Sequence, residues 1–211
     1  AGTRNTVVGI GNLAGYTAER DPNDRNKWIY TKWKDGLGSE NVVFGLNNTA
    51  NGGSIVVGSD SEVFGLGTSV GYHNKIIGDE DYGIALGNNL VVKGEQSIAI
   101  GSASETKAEY ATAIGQEAMA EKAYSMAFGS SAKAENNYSV AIGAFADAKS
   151  RSGVAIGSSS LSDREKGIKG YLAGKDDESE VWKSTRGAVS VGNKEKKYTR
   201  QIIGVSSGSD E

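Results

Sequence analysis

Cysteine is absent from the 211 residues, so no disulfide can staple the chain and no thiolate can act as nucleophile or metal ligand. Proline and histidine occur once each. A single imidazole, without cysteines or carboxylates at ligand spacing, reads as a surface residue, so His73 is assigned no metal or catalytic role. Catalytic site, metal and cofactor are all expected to be none. Aromatic residues make up only 8%, too few for a conventional core of large side chains. An excess of one charge is also missing: 23 basic against 26 acidic residues leave a net charge of −3. The basic residues are scattered, which excludes the patch a nucleic-acid binder needs. No apolar run approaches a membrane span and no basic-then-apolar leader opens the chain. The residues therefore read as soluble, or as part of a longer surface protein.

Glycine is abundant, with 30 residues, and much of it is periodic. Six units, YGIALG, QSIAIG, YATAIG, YSMAFG, YSVAIG and SGVAIG, end at Gly87, Gly101, Gly115, Gly129, Gly143 and Gly157, always 14 residues apart. A short fixed period predicts a stacked, quasi-one-dimensional structure. Two places before each glycine stands alanine, from Ala85 to Ala155; one place before stands a large apolar residue, from Leu86 to Ile156. Alternation with period two predicts a strand with one bulky and one small face. Past the glycine a second alternation follows, small or apolar at three and five places on (Ala118 and Ala120, for example) and variable between. Two strands of about five residues and two tight turns fill one unit, so each unit is one flat coil. Successive coils pair in parallel at roughly 4.8 Å, and six stack to about 30 Å.

So thin a coil is expected to enclose its alanines, serines and glycines. The bulky face then points outward: Ile84, Leu86, Ile98, Ile100, Ile114, Met126, Phe128, Val140, Ile142, Val154 and Ile156, with Thr112 completing the stripe. A soluble monomer rarely exposes so much contiguous apolar surface, which predicts an obligate oligomer sealed along this stripe. The inverse arrangement, bulky residues inside and alanines at the subunit contact, fits the same alternation and predicts the same association. Tyr82, Tyr110, Tyr124 and Tyr138 recur five places before the glycine and should stack as an edge ladder, stabilising that edge or offering a binding face.

Outside the regular coils the chain divides as follows. Residues 1–160 form the roll, interrupted at 17–40 by a charged segment with Pro22, Trp28, Tyr30 and Trp33, read as a loop or hairpin leaving the stack. Its aromatics either cap the stack or form an exposed anchor. Gly9, Gly11 and Gly15 repeat the spacing of Gly65, Gly67 and Gly71, but neither set matches a dinucleotide fingerprint. Between 41 and 81 the stretches NVVFG, SIVVG, EVFG and KIIG read as degenerate coils ending at Gly45, Gly58, Gly65 and Gly78. After Gly157 the next matching unit, GAVSVG, ends at Gly192, 35 residues on, which is one 14-residue coil plus 21 inserted residues. The insertion is assigned to 161–186, with solvated charges such as Asp176, Asp177 and Glu178, and the last coil and ending to 187–211.

Units such as YSVAIG and QSIAIG resemble the head repeat of YadA-like trimeric autotransporter adhesins of Gram-negative bacteria. GYLAG and WKSTRGAVSVG resemble that family's head-insertion segment, and YTRQIIGVSSG its neck. The resemblance implies an all-β fold, a left-handed parallel β-roll of 14-residue coils, homotrimeric and ending in a neck that leads to a stalk missing here. It implies bacterial cell-surface localisation through an outer-membrane barrel further along the full chain. It also implies a head that binds host matrix proteins (collagen, fibronectin, laminin) or receptors such as carcinoembryonic-antigen-related cell adhesion molecules. Arg200 and Gln201 match neck positions that bridge chains. The ending VSSG departs from the family's alanine-rich form, and the Asp-Ala-Val-Asn segment that would lead into the stalk is not found.

The expected function is therefore a non-enzymatic adhesin head, in which three copies per head and many heads per cell compensate for a weak single contact. Contact candidates are the outward Glu105, Met119, Lys133 and Asp147, or Trp28, Tyr30 and Trp33. Two alternatives are an acyltransferase of the hexapeptide-repeat kind, whose period is a multiple of six and which needs a catalytic base, and a purely structural spacer of a surface fibre.

Overall fold

Large and small side chains alternating along a short strand give it one face that packs closely and one that does not, so the chain must wind back to cover the small face. The computed structural model describes residues 4–21, 24–32, 40–77, 82–174, 176 and 178–206, without the side chains of 16–32. Each coil gives one longer strand, such as Ile84–Asn88 or Val140–Ile142, to an 11-stranded sheet, and one short strand, such as Val91–Val92 or Asp147–Ala148, to a 10-stranded sheet. Pairing in both sheets is parallel and follows chain order, with Ala85 beside Ala99, Gly87 beside Gly101 and Ala141 beside Ala155.

The second strand of each coil is two residues long rather than the expected five. The difference goes into the corners. Glu117 and Tyr124, in the same coil, have φ of 55° and 59°, and equivalent residues in neighbouring coils share this left-handed conformation. Two such corners reverse the chain without glycine at the turning residue, leaving fewer residues for the ladder.

Ala85, Ala99, Ala113, Ala127, Ala141 and Ala155 are 0% exposed, whereas Leu86 and Ile142 on the opposite face are 37% and 43% exposed. The regular coils therefore enclose their alanines, and the inverse arrangement is excluded. Facing them across the interior are Ala118, Ala132 and Ala146 and the column Ala120, Ala134 and Ala148, all buried.

The earlier coils depart from the expectation of a uniformly small interior. They bury Val43, Val56, Val63, Ile76, Leu90 and Val92. Glycine supplies the room: a Cβ at Gly67 would lie 2.9 Å from Val63 Cγ1, and one at Gly83 2.8 Å from Ile76 Cγ2. In the alanine-lined coils the position of Gly83 is held by Ser97, Ala111, Ser125 and Ser139. Around Val63, Ile76 and Val92 a large residue thus packs against glycine, whereas most of the regular coils set small against small.

The reading of 41–81 needs correction. Val42–Leu46, Ile55–Ser59 and Thr68–Tyr72 lie in the longer-strand sheet, with Gly45, Gly58 and Gly71 in register. Glu62–Val63 and Lys75–Ile76, taken as coil-ending strands, belong to the short-strand sheet and pair with each other. Gly65 therefore closes no coil, and Gly78 lies outside the described residues. The true spacing here is 13, and buried asparagines hold the corners: Asn48 Nδ2 donates to Gly58 O at 2.8 Å, and its Oδ1 accepts from Ser61 N at 3.1 Å. Asn74 repeats this, donating to Gly87 O at 2.8 Å and accepting from Leu90 N at 3.1 Å. The amides of Asn48 and Asn74 are thus satisfied by the next coil, whereas that of the buried Asn51 makes no hydrogen bond among the described residues.

Two excursions leave the stack. Tyr16–Asp21 and Asp24–Lys32 pair antiparallel as a hairpin. Trp28 and Tyr30 lie on its second strand with their side chains outside the described residues, as is all of Trp33. The second excursion follows Leu161–Ser162, and the stack resumes where Val189 pairs with Val154, 35 residues away in sequence.

Candidate functional site

Four surfaces on the roll carry side chains beyond the needs of the stack. The first is the outward face of the 11-stranded sheet, where Leu86, Ile100, Ile114, Phe128, Ile142 and Ile156 form one column in register. Ile84, Ile98, Met126, Val140 and Val154 form a second, interrupted by Thr112. The face continues into the earlier coils through Phe44, Val57 and Val70, which remain exposed. Among the described residues it is only partly covered, with Leu86, Met126, Ile142 and Ile156 exposed and the others of the two columns half-buried.

The second is the tyrosine edge. Tyr110 and Tyr124 stack at 4.8 Å between ring centroids with planes 10° apart, and Tyr124 and Tyr138 at 5.1 Å and 9°. The Arg151 guanidinium lies 6.0 Å from the Tyr138 ring centroid and extends the ladder by a cation–π contact. Tyr82 stands apart because Gln96 holds the rung between it and Tyr110. Ring faces are thus spent on one another, which stabilises this edge. Tyr124→Ala removes two stacking contacts and is expected to lower the melting midpoint by about 3–5 °C in a thermal scan.

The third is the outward row of the short-strand sheet. Here Glu105, Met119, Lys133 and Asp147 stand on consecutive rungs. Most of their neighbours are ion-paired between or along rungs: Lys75 with Glu62 at 2.8 Å, Lys93 with Glu105 at 2.8 Å, Lys107 with Glu121 at 3.0 Å and Lys149 with Asp147 at 3.5 Å. The hydrogen bond from Lys107 to Glu121 raises the lysine's pKa, while burial, with Asp147 and Glu121 close by, raises that of Glu135. Among the described residues no three metal-ligating side chains gather at one place.

The fourth comprises the insertion and the ending. Lys169 and Lys183 form an antiparallel bridge, and both ammoniums contact the Glu178 carboxylate. Hydrogen bonds to Lys169 and then Lys183 hold that carboxyl down to about 2. A folded value below the ordinary 4.5 means that the clasp's contribution is full above about pH 4.5 and is lost as pH falls through about 2. Glu178→Gln is accordingly expected to speed amide exchange at Gly167 and Gly170, whose N–H groups bond across the insertion, by about threefold at neutral pH. The ratio of variant to parent protection should approach one as the pH is lowered toward about 2.

In the ending, Arg200 Nη1 donates to Ser160 Oγ at 3.0 Å and Val191 O at 2.5 Å, and Nη2 to Ser158 O at 2.6 Å. Its guanidinium fills the space that a side chain at Gly157 would occupy. Within one chain Arg200 therefore bolts the ending to the last regular coil, while Gln201, Ile202 and Ile203 are exposed.

Sequence reasoning did not single out Phe145, which is 60% exposed beside the Met119–Asp147 row. The available signal was an aromatic residue in a column otherwise held by Ala103, Glu117, Ser131 and Ser159.

Comparison with known proteins bears on the repeats directly. The YadA head domain repeat matches twice, over residues 93–118 and 120–146. A 56-residue stretch is 48% identical to the autotransporter adhesin BadA of Bartonella henselae, covering 25% of this chain and 2% of that much longer protein. Among solved structures, the collagen-binding domain of the Yersinia adhesin YadA is similar at 19% identity and a TM-score of 0.46, over 94% of this chain and 90% of that one. Both matched repeats lie in consecutive regular coils, so the roll over residues 93–146 is built of YadA-like head repeats.

Proposed function

We propose that this chain is the adhesive head of a homotrimeric autotransporter adhesin. It is displayed on the bacterial surface through a C-terminal barrel of the full protein, and attaches without catalysis to host matrix proteins or receptors. The observation that carries this reading is the partly exposed apolar face of the 11-stranded sheet, whose two columns run the length of the regular coils. Exposure on that scale is removed by closed association, and three chains packed about a common axis bury one face of each. The exposed Gln201, Ile202 and Ile203 add a polar and apolar edge for the same assembly beneath the roll, and Arg200 fixes where that edge begins. The ion-paired row and the tyrosine edge stay outside such an interface, so host contact falls to the row of Glu105, Met119, Lys133 and Asp147 or to the hairpin bearing Trp28 and Tyr30.

Light scattering at micromolar concentration should return three times the 22.0 kDa of the chain. The same preparation should bind at least one of immobilised collagen, fibronectin, laminin or a carcinoembryonic-antigen-related ectodomain above an albumin control. A monomer mass overturns the assembly, and absence of binding on every surface overturns the adhesive role.

A further inference from the structure

Two places past each coil-closing glycine stands a corner residue in the left-handed region: Ala103, Glu117, Ser131, Phe145 and Ser159 have φ between 52° and 58°. Between this column and the outward row of the short-strand sheet lies a trough. Beside Phe145 it holds a cavity of about 540 Å³ lined by Glu117, Met119, Lys133, Phe145, Asp147 and Lys196, and a cavity of the same volume lies at the corresponding place in the earlier coils beside His73. That volume lies within the range of small-molecule sites.

The residues there serve the stack poorly. Phenylalanine is a bulky side chain at a φ that favours glycine or asparagine, and with 60% of its surface exposed it gains little from burial. Serine, used at the same corner in the coils on either side, would meet the structural need. The backbone donors of the column are already committed: Glu117 N bonds to Ser102 O at 2.8 Å, Ser131 N to Gln116 O at 2.7 Å and Phe145 N to Ser130 O at 2.8 Å. An extended peptide therefore finds no strand edge here, and recognition falls to side chains alone.

Those side chains carry charges of both signs. Lys133 and Lys196 make no ion pair among the described residues; Glu117 accepts from Ser131 Oγ at 3.2 Å, and Asp147 pairs with Lys149 at 3.5 Å. With Asp147 held by Lys149, two ammoniums and the Glu117 carboxylate are left to offer donors and acceptors together, around an exposed ring and a thioether. An anionic glycan would engage the ammoniums and leave the Glu117 carboxylate opposed, whereas a polyhydroxylated neutral ring uses both kinds of group.

We propose that this cavity binds an uncharged pyranose of a host glycan, its C–H face against Phe145 and Met119 and its hydroxyls shared between Glu117 and the ammoniums of Lys133 and Lys196. The site rests on the adhesin reading and names its ligand class.

The test is saturation-transfer NMR on the assembled head with methyl α-mannoside, lactose and N-acetyllactosamine, each at about 10 mM, and 3′-sialyllactose as the charged arm. At least one neutral sugar should receive saturation, and Phe145→Ser should reduce it about tenfold with mass and melting unchanged. Lys196→Ala should weaken the same signal without moving the fold. Transfer to none of the three neutral sugars, equal transfer with Phe145→Ser, or stronger transfer to sialyllactose than to lactose would each overturn the site. Matrix binding measured on the same preparation separates the two readings: adhesion retained without sugar binding removes only this cavity, while adhesion lost in the parent removes the adhesin itself.

Discussion

Replacing Ile114 and Ile142 together by aspartate is expected to leave monomers at micromolar concentration and to lower the melting midpoint by about 10 °C or more. The two residues flank Phe128 in one column of the apolar face, paired through it in register. In the single chain this column is only partly covered, with Ile142 43% exposed, so the aspartates stay wetted and cost the isolated roll little. In the proposed trimer they would place six carboxylates in a seam where the facing side chains are apolar. The lysines that form ion pairs between rungs belong to the other sheet, which leaves these charges unpaired at several kcal/mol each. Light scattering and calorimetry on the double variant decide the matter. An unchanged mass with an unchanged midpoint would mean that the columns are not where the chains meet.

The asymmetry behind that prediction was readable in the sequence because a coil of alanines leaves no room for a second bulky layer. Ala113 and Ala141 were expected to face other small residues with Ile114 and Ile142 outward, but the inverse arrangement fitted the same alternation, and burial of the alanines is what decides between them. The same logic is weaker between 41 and 81. EVFG carries a β-branched residue, an aromatic and a glycine just as NVVFG does, and local composition cannot tell which sheet a short strand joins. What separates them is register: Gly45, Gly58 and Gly71 stack with one another, whereas Phe64 and Gly65 follow a short strand whose Val63 packs inward. The corner conformations were hidden for a different reason. Tyrosine, glutamate and phenylalanine have no preference for a positive φ, and the stack imposes it on them through coil-to-coil hydrogen bonds such as Tyr124 N to Glu109 O at 3.1 Å. Phe145 stood out only as an aromatic in a column with Ala103, Glu117, Ser131 and Ser159, and it could be placed beside the row of Met119, Lys133 and Asp147 only once the corner conformations were known.

Gly87→Ala is expected to abolish the cooperative fold of the regular coils, the largest effect of any single substitution considered. Gly87 has φ of +139°, outside the range of L-residues, and a Cβ there would lie 1.8 Å from the carbonyl oxygen of Gly101 and 2.8 Å from its carbon. Both atoms are backbone, so no side chain can turn aside. Relief requires the strand Ile84–Asn88 to move away from Ile98–Ser102, which breaks the parallel ladder holding five residue pairs in register. Backbone strain, a steric clash and lost ladder bonds act together, and a cost above about 4 kcal/mol is the scale such combined lesions reach. Because each coil contacts only its neighbours, a break in the middle of the stack also removes the template for the coils on either side. Gly204 supplies the comparison: its φ of 73° is also positive but close to the left-handed region open to L-residues, and nothing lies within 4 Å of an added Cβ, so Gly204→Ala should cost about 1 kcal/mol and shift melting by about 3 °C. Circular dichroism scans of the two variants compare a blocked glycine position with an open one. A Gly87→Ala protein that melts like its Gly204→Ala counterpart would show that the glycine column is not in the close coil-to-coil contact on which the stack depends.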